Sequence, residues 1–460
     1  MNNIRSGLYE LKSIVGAENV LPYNESDEHP VEKDYFDTQN PLAVIVPNNA
    51  DEISNIMKFC YANNLKITIR GGGSSVNGGV MSCGSDIILS LEKLNNIIEI
   101  NEFERIAVVE TGVVTEVLQK EVEKYGLSFP QNISSAGMSF IGGNIAIRSG
   151  SPKSFKYGTT ANYILNLEVV LPNGEIIWTG KNVKKDSSGY NLTQLFTGSE
   201  GTLGIITKAV IKLIPLKKEW LFFIPFSSVS LLYDFIKEVL TLGLNPSSIE
   251  FLDAKGFDLV CSYLKDTRMK LDAGSFLWIE FETEVWQSDL PELEIINQLI
   301  FKYSDYDVLF AESSRERENL WKYRNKIGES CMDYCEFVDY DFSIPFSVSQ
   351  EVYEKITTIL DEFNFEGIIV GHIGDGNFHI NVFRNRNLSS EDWNLKINQC
   401  FMKINSVIVG FGGSVPGEHG VGYLNKKYFN LSVGETQIGI MKEIKKIFDP
   451  QGILNFDKIF

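Results

Sequence analysis

The chain has 460 residues, of which 43% are hydrophobic and 22% are charged, a composition typical of a globular protein with two or three domains. Its formal charge of −18 argues against nucleic acid as a partner, because phosphate binding needs clustered cations. The sequence has no run of 18 apolar residues and no apolar signal core at its N-terminus. We therefore expect a cytoplasmic protein without an integral membrane segment.

The first half reads as short β runs broken by glycine clusters, after an N-terminal helix of about residues 1–35. The predicted strands are 42–47, 66–73, 86–91, 106–112, 165–180 and 203–215, and the predicted helices are 49–64 and 114–126. Asn173-Gly174 predicts a hairpin turn within the run 165–180.

The hydrophobic pattern of the sequence changes after Pro215, where longer amphipathic segments alternate with strands such as "SFLWIEFET". We place the domain boundary there, with one domain at 1–217 and a second, α+β domain at 218–460. The chain ends in a helical segment stopped by Asp-Pro-x-Gly at 449–452.

Six cysteines are scattered without a CxxC pair, at positions 60, 83, 261, 331, 335 and 400. This spacing predicts neither a disulfide framework nor a zinc knuckle, and it is not the spacing of an iron–sulfur site. The pattern is typical of buried thiols in a reducing compartment.

Three loops of the first half are dense in Gly, Ser and Thr. They are "IRGGGSSVNGG" (69–79), "SSAGMSFIGGNIA" (134–146) and "TGSEGTLGIIT" (197–207). The first lacks the Gly-Lys-Ser/Thr of a Walker A loop and precedes a strand, not the helix of a Rossmann unit. One loop alone is equally consistent with a surface turn, but three favour close backbone approach to a large ligand such as a dinucleotide.

Three of the four histidines lie in two short glycine-flanked segments, "GHIGDGNFHI" (371–380) and "PGEHG" (416–420). We predict a hairpin with Asp375-Gly376 as a two-residue turn, which places His372 directly opposite His379 and Asn381 on the same face. Imidazoles about 4.5–5.5 Å apart at Cβ can share one divalent cation. The alternative is a stacked histidine pair on a solvated sheet.

The segment "PGEHGVG" (416–422) adds Glu418 and His419. If Glu418 turns towards the two histidines, the site is His₂Glu with open positions, the arrangement of catalytic zinc. His419 has an unperturbed pKa of about 6.5 and can take a proton at neutral pH.

The stretches "KITIRGGGSSVNGG", "GGNIAIRSG", "KYGTTANYILNLEVVLPNGEI" and "SGYNLTQLFTGSEGTLGIIT" closely resemble the FAD-binding domain of the vanillyl-alcohol-oxidase (PCMH) type. The second half resembles the FAD-linked oxidase domain of glycolate oxidases, D-lactate dehydrogenases and D-2-hydroxyglutarate dehydrogenases. The resemblance covers roughly residues 20–458. It implies a two-subdomain FAD-binding domain, then an α+β substrate domain with an antiparallel sheet, and a C-terminal helical segment.

By this resemblance the FAD contacts come from all three glycine-rich loops and from the closing motif near the C-terminus. They are Arg70, Gly71, Gly72, Gly73, Ser74, Ser75, Asn77, Gly78, Ser135, Gly142, Gly143, Asn144, Glu200, Gly201, Gly204, Ile206 and Asn455. Some relatives attach the flavin through a histidine where this chain has Ser75, so we expect non-covalent FAD. Asn455 is equally consistent with an ordinary helix cap.

The resemblance also implies that His372, His379 and Glu418 bind Zn²⁺ or Mn²⁺. The hydroxyl and carboxylate of a 2-hydroxy acid would chelate this metal, His419 would act as base, and a hydride would pass to flavin N5. Arg324 is implied as a carboxylate clamp, or else is an arginine on a solvated helix face, and Asn381 as a substrate contact.

Relatives that use D-2-hydroxyglutarate carry a threonine and a lysine where this chain has Gly328 and Asp339. We therefore favour D-lactate or glycolate, with D-2-hydroxyglutarate as the alternative. Two other classes stay open: a non-redox transferase of the same flavin fold and a metallohydrolase. The oxidant is expected to be electron-transfer flavoprotein, a quinone, an iron–sulfur partner subunit or oxygen, and a homodimer is possible.

Overall fold

The computed structural model describes residues 2–23, 40–269, 271–283 and 291–460, so His29 lies outside the described residues. The helices, α1 to α15 in chain order, are Asn2–Val15, Ala50–Asn63, Thr115–Glu123, Ile141–Ile147, Ser154–Tyr157, Leu192–Phe196, Val229–Thr241, Ala254–Tyr263, Pro291–Tyr303, Ser314–Asn325, Ile327–Tyr334, Phe346–Glu362, Ser390–Gly410, Lys426–Ser432 and Glu435–Phe448. The strands, β1 to β18, are Val20–Leu21, Ala43–Ile45, Ile67–Arg70, Ile87–Ser90, Ile97–Asn101, Ile106–Glu110, Leu127–Ser128, Ile164–Val170, Ile176–Trp178, Ile205–Lys212, Ile214–Pro215, Lys218–Phe226, Ser248–Asp253, Ser275–Thr283, Leu309–Ala311, Phe337–Ser343, Gly367–His372 and Asn377–Phe383. None of the helices in the described ranges is long and apolar enough to cross a bilayer.

The N-terminal helix is shorter than the predicted 1–35. It ends at Val15, because Gly16 adopts a φ of +89°, and the chain then enters β1. Residues 24–35 of the predicted helix lie outside the described residues.

The chain forms two compact units, and neither of them is a single continuous stretch of the sequence. The first unit is 1–150, 159–216 and 419–460; the second is 151–158 and 217–418. The predicted boundary after residue 217 thus lies within a residue of the main division. The C-terminal helices α14 and α15 belong to the first unit, whereas the sequence predicts them in the second domain.

The first unit contains sheets with the strand orders β1-β2-β4-β3, β5-β6-β10-β8-β9 and β11-β7. The first of these pairs β2, β4 and β3 in parallel, and helix α2 covers it through Ile53, Ile56 and Met57, which are fully buried. Asn49 caps α2 by accepting a hydrogen bond from the Glu52 amide, as expected from Asn/Asp at a helix start. The Asn-Gly turn forms, and it connects β8 to β9.

The second unit is built on one antiparallel sheet of seven strands, in the order β15-β12-β14-β13-β17-β18-β16. One face of this sheet packs against α8, α10 and α11 through a core that includes Leu252, Phe276, Trp278, Phe257 and Ile368. The predicted α+β character with an antiparallel sheet is confirmed.

The hairpin of β17 and β18 has a longer turn than predicted. His372 pairs with Asn377, and Val370 pairs with His379, so the loop contains four residues, 373–376. The predicted direct opposition of His372 and His379 is therefore wrong. A two-residue type I′ turn needs a positive φ at both central residues, whereas only Gly376, with φ +80°, has one here.

Replacing Gly376 should damage this hairpin. A Cβ at Gly376 would lie 1.9 Å from the Ile344 carbonyl oxygen, at a φ that already disfavours side chains. We expect Gly376→Ala to destabilise the second unit by at least about 2 kcal/mol, seen as a lower thermal midpoint. Gly328, which is helical and open around its Cβ position, is the control: Gly328→Ala should leave the midpoint unchanged or raise it. Equal effects of the two substitutions would contradict this account of the turn.

Asp253 ties β13, α8 and β17 together. One carboxylate oxygen accepts from the Gly256 amide at 2.8 Å and the other accepts from the Ile369 amide at 2.7 Å. Burial raises the pKa of Asp253 to about 6, although both amides oppose the shift. Since this value exceeds the ordinary 3.8, the stabilising contribution is complete below about pH 4 and is lost as the pH rises through 6.

Asp253→Asn should therefore change the pH dependence of stability. From pH 7 to pH 5, the wild-type protein should gain about 1.4 kcal/mol of unfolding free energy relative to the variant. Thermal midpoints of both proteins at the two pH values measure the difference. Asp258→Asn, an exposed substitution on α8, is the control: its thermal midpoint should change between the two pH values by the same amount as that of the wild-type protein. If the midpoint of Asp253→Asn also changes by the wild-type amount, the raised pKa of Asp253 is wrong.

Candidate functional site

His372 and His379 lie on one face of the seven-stranded sheet as diagonal neighbours. His372 ends β17 and His379 lies inside β18, two residues beyond the partner of His372. The register differs from the predicted one by an even number of residues, so both rings keep the same face. Their ring centroids are 6.2 Å apart, and the rings are nearly perpendicular.

Glu418 meets both histidines. Its Oε1 is 3.3 Å from Nε2 of His372 and 3.2 Å from Nε2 of His379. The Glu418 amide donates to Oδ2 of Asp341 at 2.8 Å, which anchors this segment to β16. A Cβ on Gly417 would lie 2.3 Å from Nδ2 of Asn377, so only glycine allows this approach.

The three side chains suit a divalent cation. One ligand atom from each of His372, His379 and Glu418 lies within 4.8 Å of the others. Two imidazole nitrogens and one carboxylate oxygen form a donor set used by catalytic zinc, with coordination positions left for another ligand. The residues present therefore fit such a cation.

Glu250 supports His372 from the neighbouring strand β13. Its side chain is completely buried; Oε1 is 2.6 Å from Nδ1 of His372, and Oε2 accepts from Nε of Arg324 at 2.9 Å. Nη2 of Arg324 is also 2.9 Å from Oε2. Arg324 is thus a buried member of this cluster, and the interpretation of a solvated helix face is wrong.

The charges of the cluster shift the pKa values of its members. Burial by itself lowers the pKa of His372, but the carboxylates of Glu250 and Glu418 outweigh it and raise the pKa well above 6.5. The pKa of Glu418 lies well below 4.5, because the two imidazoles outweigh its burial. A cation that binds here would replace the proton on Nε2 of His372.

Asn381 and Asp339 face each other across β18 and β16, on the side of the sheet that carries His379. Asn381 is buried, and its Nδ2 lies 3.5 Å from Sγ of Cys331. Oδ1 of Asp339 is 3.9 Å from Nδ1 of His379, which brings a negative charge close to the cation site.

The first glycine loop borders a cleft of about 320 Å³ in the first unit. Its lining residues are Leu21, Pro22, Val44, Val46, Arg70, Gly71, Gly72, Gly73, Ser90, Glu92 and Phe140. Arg70 and the three glycines were predicted cofactor contacts. The loop lies beside the second predicted segment, since a Cβ on Gly71 would be 3.9 Å from the Gly143 amide.

The predicted glycines divide into two groups by their surroundings. Among the residues that the structure describes, nothing lies within 4 Å of a Cβ built on Gly73 or Gly143, so a ligand can approach these two. Gly71 also has room, since its Cβ would be 3.8 Å from the Phe140 ring. At the other five a Cβ would meet the protein within 3 Å: Gly72 at Met138, Gly78 at Met81, Gly142 at Thr111, Gly201 at Asn455 and Gly204 at Val169. Their small size already has a structural reason.

The side chains of Asn77, Glu200 and Asn455 form a network inside the first unit. Nδ2 of Asn77 donates to Oε2 of Glu200 at 3.2 Å and to the His419 carbonyl at 2.8 Å. The Glu200 carboxylate also accepts from the amides of Val421 and Gly422, both at 2.8 Å. Asn455 accepts from the Ile69 amide and donates to the Glu200 carbonyl. Burial raises the pKa of Glu200.

Four other predicted contacts also have protein partners. Oγ of Ser75 bonds to Asn77, Nδ2 of Asn144 bonds to Oγ1 of Thr115, the Ser135 carbonyl accepts from Met138 and Ser139, and the Ile206 carbonyl accepts from Thr111. Ser74 is half-buried in the loop that follows the cleft glycines.

Sequence reasoning missed Glu250, Phe140 and Lys153. Lys153 is buried, and its Nζ pairs with Glu280, Glu219 and Glu282 on β14 and β12. One signal existed for Glu250 and Glu280: each is an acidic residue flanked by large apolar residues within a strand, "SIEFLD" or "SFLWIEFET". Nothing in the sequence pairs Glu250 with His372, because 122 positions separate them.

Two family models match the chain. The model described as "FAD binding domain" matches residues 41–180, and the model described as "FAD linked oxidases, C-terminal domain" matches residues 217–459. FAD is thus the cofactor indicated for the first unit.

Several curated proteins are similar over nearly the whole chain. "Glycolate oxidase subunit GlcD" of Bacillus subtilis is 34% identical over 428 residues, 91% of this chain and 89% of that protein. "D-lactate dehydrogenase" of Archaeoglobus fulgidus is 31% identical, and "D-2-hydroxyglutarate dehydrogenase" of Stutzerimonas stutzeri is 29% identical, each with 91% of both chains covered.

Solved structures share the fold at low sequence identity. p-Cresol methylhydroxylase with substrate bound has a TM-score of 0.77 at 16% identity, covering 99% of this chain and 96% of that one. Alkyldihydroxyacetonephosphate synthase has a TM-score of 0.73 at 18% identity, covering 98% and 84%. These likenesses describe the fold alone, whereas the family match over 217–459 and the 34% identity to the Bacillus protein show that the chain belongs to the FAD-linked oxidase family.

Proposed function

We propose that this FAD-linked oxidoreductase oxidises a D-2-hydroxy acid, D-lactate or glycolate in preference, to the 2-oxo acid with the help of a divalent cation. The observation that carries the proposal is the His372–His379–Glu418 cluster, whose ligand atoms lie within 4.8 Å of one another in a chain with an FAD-binding domain. The curated relatives named for glycolate, D-lactate and D-2-hydroxyglutarate support the substrate class.

His372, His379 and Glu418 would hold Zn²⁺ or Mn²⁺, two cations that accept these ligand types. Bound FAD supplies a two-electron acceptor, and the cation supplies Lewis-acid polarisation of the substrate hydroxyl. The sequence has no histidine in the glycine-rich loops, which supports dissociable FAD. We propose that Arg70, the cleft glycines and the other predicted contacts bind the cofactor.

Proton removal and substrate binding are assigned to side chains of the protein itself. His419 follows Glu418 directly and is the proposed base that removes the hydroxyl proton. Arg324 is the proposed partner of the substrate carboxylate; among the described residues its guanidinium contacts Glu250 through Nε and Nη2, which leaves Nη1 for that role. Asn381 is a proposed substrate contact. Oxidation removes two electrons and two protons from the hydroxy acid, and an external acceptor would finally receive the two electrons.

Asp339 and Gly328 support a monocarboxylate substrate. The Asp339 carboxylate lies 3.9 Å from His379 and would repel a second substrate carboxylate near the cation site. Gly328 has no side-chain hydroxyl that could donate a hydrogen bond to such a second carboxylate. Electron-transfer flavoprotein, a quinone and an iron–sulfur partner subunit are the proposed acceptors.

His379→Ala tests the cation. Removal of one of three protein ligands should strip the ion and lower turnover at least about a hundredfold, while FAD stays bound. Elemental analysis, flavin absorbance and reduction of an artificial acceptor measure these three quantities. His29→Ala is the control for loss of a histidine. Full activity of His379→Ala would refute the proposal that the His372–His379–Glu418 cluster binds a catalytic cation.

Anaerobic bleaching of the flavin tests the substrate. D-Lactate or glycolate should reduce the flavin faster than D-2-hydroxyglutarate at equal concentration. Asp339→Lys replaces repulsion by attraction and should raise kcat/KM for D-2-hydroxyglutarate relative to D-lactate by about tenfold. Asp333→Lys, an exposed reversal of the same charge on α11, should leave the ratio unchanged. Faster bleaching by D-2-hydroxyglutarate in the wild-type protein would make that acid the substrate.

A further inference from the structure

Glu250 is a fully buried carboxylate with one partner on each oxygen. Oε1 is 2.6 Å from Nδ1 of His372, while Oε2 is 2.9 Å from both Nε and Nη2 of Arg324. Burial of an ionised carboxylate is costly unless it is paired and hydrogen-bonded. The pair with Arg324 therefore keeps a charged acceptor beside His372.

We propose that Glu250, held by Arg324, is the positioning residue of the cation site: it sets the ring orientation and tautomer of His372 so that Nε2 is the ligand atom. This inference rests on the proposed function, because it concerns the cation that His372, His379 and Glu418 would hold.

The contact at Nδ1 decides which ring nitrogen is available. A ring that donates its Nδ1 hydrogen to Glu250 presents the lone pair of Nε2. Nε2 of His372 lies 3.3 Å from Oε1 of Glu418, and Nε2 of His379 lies 3.2 Å from the same oxygen. Glu250 thus holds His372 with its Nε2 directed to the point where the other two ligands converge.

The sheet itself places Glu250 against His372. Phe251 pairs with Gly371 and Leu252 pairs with Val370, so Glu250 occupies the position opposite His372 on the adjacent strand. Opposed residues project to the same face about 4.5–5.5 Å apart at Cβ. The contact therefore depends on a β ladder and not on the conformation of a loop.

Helix α10 fixes Arg324 in turn. Trp321, one turn before Arg324, donates from Nε1 to Oε2 of Glu280 at 3.2 Å. Nε1 of Trp278 donates to the Leu320 carbonyl at 2.9 Å. These two bonds attach the helix to β14, so the guanidinium has a defined place beside Glu250.

A purely structural role for the Glu250–Arg324 pair makes a different prediction. In that case loss of the pair lowers stability, but cation affinity stays the same as long as the protein folds. A positioning role requires weaker cation binding even in a well-folded variant, because the imidazole loses its fixed tautomer and orientation.

The test is the Zn²⁺ dissociation constant of the FAD-loaded protein, from competition with a chromophoric chelator. Glu250→Gln keeps the size of the side chain and removes its charge; we expect Zn²⁺ to bind about 10–100-fold more weakly, with unchanged FAD content. With Co²⁺ in place of Zn²⁺, the visible absorption spectrum of the variant should differ from that of the wild-type protein. Stability alone would not move this spectrum.

Glu250→Gln leaves the Arg324 charge buried, which can prevent folding. The double variant Glu250→Gln/Arg324→Met removes both charges and should show the same weakening. Glu280→Gln is the matched control, because Glu280 is also a buried glutamate paired with a cation, Lys153, on the same face of the sheet, and glutamine keeps an oxygen that accepts from Nε1 of Trp321. It should lower the thermal midpoint and leave the Zn²⁺ constant within about twofold of wild type.

The outcomes separate the inference from the proposed function. If both Glu250 variants bind Zn²⁺ within about twofold of the wild-type constant while His379→Ala loses the ion, the inference is overturned and the proposed function stands. If the wild-type protein binds no divalent cation, both are overturned. A 10–100-fold loss in the Glu250 variants, absent in Glu280→Gln, supports both.

Discussion

The buried Glu250 carboxylate joins the helices of the second unit to its histidine cluster. One oxygen reaches His372 and the other reaches Arg324, and neither partner could stay buried with its charge unsatisfied. Because Glu250 lies opposite His372 next to the paired residues of β13 and β17, the position of the imidazole follows from this strand pairing. The antiparallel sheet is thus the frame on which the candidate cation site is built, with Asp253 as a second tie between the same two strands.

The same face of the sheet carries several more charged side chains. Lys153 pairs with Glu280, Glu219 and Glu282, and Arg317 also pairs with Glu219. Each buried carboxylate here has a cation beside it, which satisfies the requirement that buried charge be paired. In a protein with a formal charge of −18, an anionic substrate needs local positive charge, and Arg324 with a bound divalent cation would supply it.

The first unit uses polar side chains to organise its glycine-rich loops. Glu200 accepts hydrogen bonds from Asn77 and from the amides of Val421 and Gly422, and Asn455 ties the C-terminal segment to β3. Asn77, Glu200 and Asn455 were predicted as cofactor contacts, and their side chains form hydrogen bonds to other parts of the first unit. Gly73 and Gly143, by contrast, have open space around them, which is what close approach by FAD requires. Loops with similar composition therefore differ in how closely the protein packs around their glycines.

Local chemistry in the sequence was enough for most elements. Helix α2 starts at its Asn49 cap, the Asn-Gly turn joins β8 to β9, and the motifs of the glycine loops are sufficient to identify the family. The concentration of histidines in two short segments also pointed to His372, His379 and Glu418, whose ligand atoms lie within 4.8 Å of one another in the structure. Each of these features depends on neighbours within a few residues, or on residue types that are rare elsewhere in the chain.

Other features depend on residues far apart in the chain. The hairpin has a four-residue loop before Asn377, in which Gly376 packs against the Ile344 carbonyl, a contact that a turn dipeptide does not encode. The pairing of Glu250 with His372 spans 122 positions, and the return of residues 419–460 to the first unit joins the two ends of the sequence. Hydrophobic periodicity determines which face of a strand is buried, whereas strand order and long-range register decide which buried charges meet.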